Sequence, residues 1–514
     1  MSERINAHHP RVLVAPVEGD RFYEKLTGWG RYEGHPETAD RVRVAVAALQ
    51  DLPWVVNLPG DATAGGALEQ EKQAAERILL TYAHSETAYR AALDAAETGG
   101  DFTRGASTFQ ESNLYTLVMT KRVIEEVFLA GDTDAARPHF GFAFGRPGGH
   151  HSTSDEIALA YNCGVNYVMA LAGWLAAEKD RRVGVLDMDV HFAGGSHEIL
   201  ARWHRTTAAG FTQQQVRDEE SQSGSAKQVA KNVFHADVSS EFFALRDNFA
   251  RAALDTGHCR VFSTELTKRV RRTLSERQAS GTQAAGTRPE VCRNQDQHFV
   301  EAAASFPFED SFDDAALAVA TMQTVRFFKS KNVDSILVSF GLDAEYGELE
   351  GPHNVTWLGF WQLGRILRAA GVRCVFALEG GGYTDLFGAD PFIGKPLERD
   401  VFGRVVHEKR DTLYATNIRA VARGIRGESM ADEVVDIPMR RAAALANEQA
   451  HMTPPGYQEA ARMIETLIDQ MMLSEHRDEP APLSKIADLK AAFFEAVELV
   501  DEELAARAYL HRAK

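Results

Sequence analysis

Cysteine is scarce. The 514 residues hold four, at Cys163, Cys259, Cys292 and Cys374, and none forms a Cys-x-x-Cys pair, which excludes a disulfide framework. Long apolar runs are missing as well. No stretch approaches the ~18 apolar residues of a membrane helix, and Met1 to Pro16 lacks the apolar core of a signal peptide. Positive charge is in short supply: 56 Lys and Arg stand against 73 Asp and Glu, a formal net charge of -17. Contact with phosphates needs a basic surface, so bulk attraction to nucleic acid is excluded. An acidic surface suits a cationic substrate or partner. No internal repeat or low-complexity tract is evident. These absences predict a protein of the reducing cytoplasm with neither a membrane nor a nucleic-acid partner.

What remains is 44% hydrophobic, enough for a large core and, at roughly 150 residues per domain, for more than one domain. The stretch Val183-Gly184-Val185-Leu186-Asp187-Met188-Asp189-Val190-His191 organises the reading. Val183 to Leu186 is a short apolar run of the kind found in parallel strands covered on both faces. The run then turns acidic. Side chains of an extended chain alternate with a period of two, so Asp187, Asp189 and His191 are expected to point the same way. Carboxylates and an imidazole at a buried strand end need a counter-charge. A divalent metal supplies one, and oxygen plus imidazole ligands suit zinc or ferrous iron. Capping acids at a solvated strand end are the other reading.

Elsewhere strand-like and helix-like segments alternate. Arg11 to Ala15, His139 to Phe144, Val233 to Val238, Ser335 to Phe340 and Arg373 to Leu378 read as strands. Gly34-His35-Pro36 leads into a helix through Leu49. Gln70 to Tyr82, Leu114 to Leu129, Asn166 to Lys179, Asp313 to Ser330 and Trp357 to Ala370 read as further helices, and Gly99 to Ser112 as a loop. Leu266 to Arg277 reads as a basic, solvated helix. Strand, helix, strand at this spacing predicts an α/β fold: a multi-stranded, mostly parallel sheet flanked by helices on both faces. Ligands of such sheets bind beyond the carboxyl ends of the strands. His150-His151, the Asp187 to His191 run, Asp343 and the stretch before Tyr383 all follow strands, so they are expected to converge. Residues 1–396 are read as the catalytic domain, with a divergent insertion at about 203–305. Residues 397–514 are read as a C-terminal helical extension, with Ile464 to Met471 and Ile486 to Leu504 at helical spacing, packing on the core or on another subunit of a homo-oligomer.

Taken in order, the motifs resemble those of the histone deacetylase and acetylpolyamine amidohydrolase family over about residues 10–395. They are His35-Pro36-Glu37 with Arg41, Arg146-Pro147-Gly148-Gly149-His150-His151, Asp187 to His191, Gly341-Leu342-Asp343-Ala344 and Gly380-Gly381-Gly382-Tyr383. The resemblance implies the parallel sheet that this family shares with arginases. It implies one catalytic Zn²⁺ on Asp189, His191 and Asp343, with open positions for water and the substrate carbonyl. It implies His151 as the general base that later protonates the leaving amine, with His150 as its electrostatic neighbour. Asp187 would orient His150 and help hold a structural K⁺, and Tyr383 would hydrogen-bond the oxyanion. Gly149 and Gly381 would let backbone approach the substrate. Arg41 would stand behind the pocket near the acetate exit, and Tyr161 is the nearest candidate for the aromatic channel wall. Cys163-Gly164-Val165-Asn166 resembles the family's Cys-x-x-Asn.

The chain departs from that pattern after the metal histidine. Phe192-Ala193-Gly194-Gly195 stands where the family has His-Gly-Asn-Gly or His-Gly-Asp-Gly, so Gly194 replaces the residue that orients the second histidine. Glu350 stands where polyamine-preferring members carry an acid, and a carboxylate at a pocket rim favours a cationic chain. The expectation is hydrolysis of an acyl amide, releasing acetyl or a similar acyl group from a small cationic amine or from acyl-lysine. Two alternatives stand beside it. One is an arginase-like ureohydrolase with two manganese ions, against which the single Asp343 argues. The other is an acyl-ligand-binding module without turnover, which Phe192 and Gly194 keep open. His35 and His84 read as structural, and His197, His204, His235 and His353 stay unassigned.

Overall fold

The apolar runs become strands, and among the described residues every pairing between them is parallel. The computed structural model describes residues 11–14, 39–50, 52–58, 66–98, 106–129, 138–158, 163–208, 228–239, 260–261, 303–305, 314–345, 355, 357–381 and 413–428. Its strands are β1 (Arg11–Val14), β2 (Val55–Asn57), β3 (Pro138–Ala143), β4 (Val183–Asp187), β5 (Val233–Asp237), β6 (Arg260–Val261), β7 (Ala303–Ser305), β8 (Ser335–Phe340) and β9 (Arg373–Leu378). They form one nine-stranded sheet in the order β2-β1-β3-β9-β8-β4-β5-β7-β6. Every residue of β4, β5 and β8 is buried, as a strand covered on both faces requires.

The order explains how distant motifs can meet. Between β3 and β4 the chain leaves a gap, which β8 and β9 later fill. The carboxyl ends of β3, β9, β8 and β4 therefore stand side by side, and each is followed by a motif singled out above.

The helices are α1 (Ala39–Gln50), α2 (Gly66–Tyr82), α3 (Glu86–Glu97), α4 (Ala106–Ile124), α5 (Tyr167–Glu178), α6 (Gly194–Ala208), α7 (Asp314–Ser330), α8 (Trp357–Ala370) and α9 (Leu413–Arg426). α2, α3, α4 and α5 pack together, and α1, α7, α8 and α9 form a second group, so helices cover the sheet on both faces. α5 is buried from Tyr167 to Ala176, and Asn166 caps it by accepting the Met169 N–H at 3.2 Å.

Some elements differ from expectation. α4 begins at Ala106, so residues 106–112 are helix and not loop. Their polar character comes from pairing with α2: Lys72 lies 3.2 Å from Glu111, and Gln110 donates to Glu76 at 2.9 Å. The end of the expected helix winds as a π-helix at Glu125–Leu129. α3 starts after Ser85, whose hydroxyl caps it by accepting the Ala88 N–H. α6 starts on Gly194-Gly195, a pair that reads as a breaker in sequence.

Past residue 396, α9 packs against α8 and α1. Gly364 and Gly424 let the two helix backbones touch: a Cβ on Gly364 would overlap Val421 O, and one on Gly424 would overlap Trp361 O. Arg368 caps the carboxyl end of α9 through the carbonyls of Ile425 and Arg426. Leu266 to Arg277 and the stripes at 464–471 and 486–504 lie outside the described residues. Among the described residues no helix is long and apolar enough to cross a membrane.

Candidate active site

β4 ends at Asp187, and the alternation expected through His191 stops there. The chain instead turns back on its own carboxylates. Asp187 Oδ1 accepts the Asp189 N–H at 3.2 Å, and Asp189 Oδ1 accepts the His191 N–H at 3.0 Å. Asx-type turns of this kind place side chains by local hydrogen bonds rather than by strand pleat. As a result Asp187 lies 3.3 Å from His150 Nδ1, while Asp189 lies 3.7 Å from His150 Nε2 and, with His191, faces Asp343.

Asp343 follows β8. Its Oδ1 accepts the Val190 N–H at 3.0 Å, and its Oδ2 lies 3.0 Å from His191 Nδ1. Asp189 Oδ1 lies 2.9 Å from the same nitrogen. One ligand atom from each of Asp189, His191 and Asp343 falls within 4.8 Å of the others. Glycines make the approach feasible: a Cβ on Gly341 would overlap Asp189, and one on Gly381 would overlap Asp343.

The electrostatics bear on what this cluster can hold. Burial works against the charge on His191, yet its bonds to Asp189 and Asp343 hold its proton well above the ordinary histidine range. Burial, then the charge of Asp189, pushes Asp343 up. Two buried carboxylates converging on a single proton form a donor set in need of a cation. Two carboxylates and an imidazole at this spacing fit a divalent ion.

The adjacent histidines differ sharply. Burial disfavours charge on His150, but Asp189 and Asp187 outweigh it and push the imidazole up to about 10. Burial, then the charges of His150 and His191, pushes His151 well below the ordinary value. The rings lie 4.2 Å apart, and that of His151 is 5.8 Å from His191. A pair whose proton affinities are driven apart holds one imidazole charged and leaves the other free to accept a proton.

The other expected residues divide into two sets. Arg41, 1% exposed, donates through Nη2 to the carbonyls of Glu379 at 2.9 Å and Gly381 at 2.7 Å. Gly149 leads into His150, and its N–H bonds to Glu379 Oε2 at 2.6 Å. Gly381 adopts φ +83°, a conformation that favours glycine. Tyr161, Glu350, Tyr383 and His35 lie outside the described residues.

Sequence reasoning left several participants without a place, reading His84 only as structural and His197 and His235 not at all. His84 Nδ1 lies 2.7 Å from Thr153 O, and its Nε2 accepts the Asn166 N–H at 2.8 Å. Asn166 in turn donates to Ser152 O at 3.3 Å and to Ser196 Oγ at 3.0 Å. This network grips the backbone just after His151. Gly194 offers no side chain to the second histidine; what α6 brings here is backbone, the Ser196 N–H donating to the His150 carbonyl at 3.0 Å, on the peptide that leads into His151. Asp237, across the sheet from Asp187, accepts the Ala193 N–H at 3.1 Å, and burial pushes its carboxyl up to about 7. His197 stacks on Phe192 at 4.8 Å and meets His235 edge-on at 4.5 Å. Neither nitrogen of these two rings has a hydrogen-bond partner among the described residues, and burial keeps both rings neutral.

The histone deacetylase domain family matches residues 35–246, a span that contains the histidine pair and the β4 loop and ends before Asp343. No curated protein matches the chain. Among solved structures, the crystal structure of the HDA15 HD domain aligns over 97% of this chain and 99% of its own length, with a TM-score of 0.50 at 15% identity. That likeness bears on fold. The acetylpolyamine aminohydrolase from Burkholderia pseudomallei aligns over 80% of this chain and 98% of its own length, with a TM-score of 0.48 at 15% identity.

Proposed function

We propose, from the premise that the chain carries a histone deacetylase domain at residues 35–246, that it is a zinc-dependent amidohydrolase. It removes acetyl or a similar small acyl group from an amine. The observation that carries this reading is the convergence of Asp189, His191 and Asp343 beside an imidazole pair of split proton affinity.

Asp189, His191 and Asp343 would hold the zinc, which when bound makes an amide carbonyl more electrophilic and eases deprotonation of water. The remaining chemistry belongs to the chain. His151, kept neutral, takes a proton from the attacking water and returns it to the departing amine. His150 keeps its Nδ1 toward Asp187, which turns its Nε2 toward the reaction centre and stabilises negative charge there. Tyr383 donates its phenolic hydrogen to the developing oxyanion, a role supported by its motif Gly380 to Tyr383. Arg41 rigidifies the start of that motif through the carbonyls of Gly381 and of Glu379 just before it. Asp187 Oδ2, buried and without a hydrogen-bond partner among the described residues, is available to a structural K⁺.

Acetylated polyamine or another small cationic amide is the first substrate choice, and acyl-lysine in protein the second. The net charge of -17 and the carboxylate of Glu350 support a cationic amine. The test is a screen of the zinc-loaded chain against acetylpolyamines, acetyl-lysine peptides and acetyl anilides, with and without chelator. Amine release fastest from acetylpolyamines, lost on chelation and restored by zinc, is expected. No hydrolysis of any amide by the metal-loaded chain would overturn the reading. Tyr383→Phe is expected to lower kcat with little change in KM.

A further inference from the structure

Just before the histidine pair the chain turns through Pro147, Gly148 and Gly149, and Glu379 reaches this turn from the end of β9. Its Oε2 accepts the Gly149 N–H at 2.6 Å, and the residue is 1% exposed. Gly148 makes room for the contact, and Gly149 for the backbone on the other side of the turn. A Cβ on Gly148 would overlap Glu379 Oε2, and one on Gly149 would overlap Val165 O. Glu379 is itself pinned at both ends of its backbone. Its N–H donates to Phe340 O at 2.9 Å, and its carbonyl accepts from Arg41 at 2.9 Å.

A carboxyl group is an expensive filler for a dry interior, where an aliphatic side chain would occupy the same space without desolvation. Burial shows its effect by pushing this carboxyl up to about 7. What the carboxyl supplies in return is an acceptor for one backbone N–H, next to His150. The carbonyls of the turn are held separately, by the Gly164 N–H on Gly148 O at 2.7 Å and the Ser152 N–H on Gly149 O at 3.0 Å, while the buried Gly149 N–H bonds to this carboxyl.

We propose that Glu379 is a positioning residue: through the Gly149 N–H it fixes the peptide from which His150 and His151 are directed into the site. The proposal rests on the amide-hydrolysing reading of that site. The hydrogen bond, and not the charge, is the active feature, so an amide side chain should replace the carboxylate.

The test uses full-length, metal-loaded E379Q and E379L. Both are measured for kcat and KM on the best acylated amine, for metal content, and for backbone hydrogen exchange across residues 146–151. E379L is expected to keep its metal and its KM while kcat falls about 100-fold, as a small misplacement of catalytic groups produces. Exchange at the turn should accelerate with it. E379Q is expected to recover both the rate and the slow exchange. If E379L fails to fold, E379Q still decides, because a low kcat or fast exchange in that variant overturns the proposal. An E379L enzyme with wild-type kcat, or a turn still protected in it, overturns it as well. Wild-type protein inactive on every acyl amide would remove the assigned reaction, while the exchange rates would still show whether Glu379 clamps the turn.

Discussion

Asp343 Oδ2 lies 3.0 Å from His191 Nδ1 across 152 residues of sequence. The two oxygens of this carboxylate have different tasks. Oδ1 holds the β4 loop by accepting the Val190 N–H, and Oδ2 faces the imidazole. Charge and loop support are thus separable by mutation.

Asp343→Asn retains an oxygen for Val190 and loses the charge. It is expected to fold with a Tm near wild type, while zinc affinity falls by more than about 100-fold, the upper end of effects seen for groups one shell further out. Asp343→Ala should lose stability as well. Elemental analysis after dialysis and a thermal melt separate the two. Full zinc occupancy in Asp343→Asn would remove it from the ligand set.

The imidazole pair makes a second expectation. Because the surroundings push the proton affinity of His151 down and that of His150 up, the two should not be interchangeable. His151→Asn is expected to lower kcat by about 10²–10⁴, the usual worth of a positioned general base, with KM nearly unchanged. Steady-state kinetics on one acylated amine would show it. A smaller loss there than in His150→Asn would exchange their roles.

How much of this was legible follows from the kind of signal each residue leaves. Asp343 and the histidine pair sit at the ends of buried strands, and strand ends are readable from apolar runs followed by polar residues. The topology was not readable in the same way, because only the filling of the β3–β4 gap by β8 and β9 makes those ends neighbours. Strand alternation failed past Asp187, because side-chain to backbone bonds took over from the pleat. Glu379 left no signal, and His84 only that of a structural histidine, since each acts through one or two backbone groups far away in sequence. α6 was hidden by Gly194-Gly195. A Cβ on Gly195 would overlap the backbone of His151 and Ser152, so a pair that reads as a breaker is there for close approach.

His84 gives the fold an acid limit. It donates and accepts with neutral nitrogens, and burial lowers its pKa to about 4. The unfolded chain binds the proton near 6.5, so its contribution is complete above that pH and is lost as pH falls toward 4. The shift corresponds to about 3 kcal/mol over that interval, most of it gone by pH 5. His84→Gln offers an amide that can donate and accept without titrating. Thermal unfolding between pH 7.5 and 4.5 should therefore show a shallower acid slope for the variant. Parallel slopes would mean that His84 takes up its proton equally in the folded and unfolded chain, and that burial does not lower its affinity.

Gly381 and Gly371 share a left-handed backbone, at φ +83° and +67°. Alanine at either position meets the same strain, on the order of 1–3 kcal/mol. Only at Gly381 does the added methyl also overlap Asp343. Gly371 lies in the turn between α8 and β9, at the opposite end of β9 from the site. Both variants are therefore expected to melt earlier than wild type by comparable amounts. Gly381→Ala should in addition bind zinc more weakly, because Asp343 must move or the β9 loop must back away from it. A competition titration against a chromophoric chelator measures this directly. Equal zinc affinity in the two variants would show that the site absorbs the displacement, and that Gly381 serves the backbone alone.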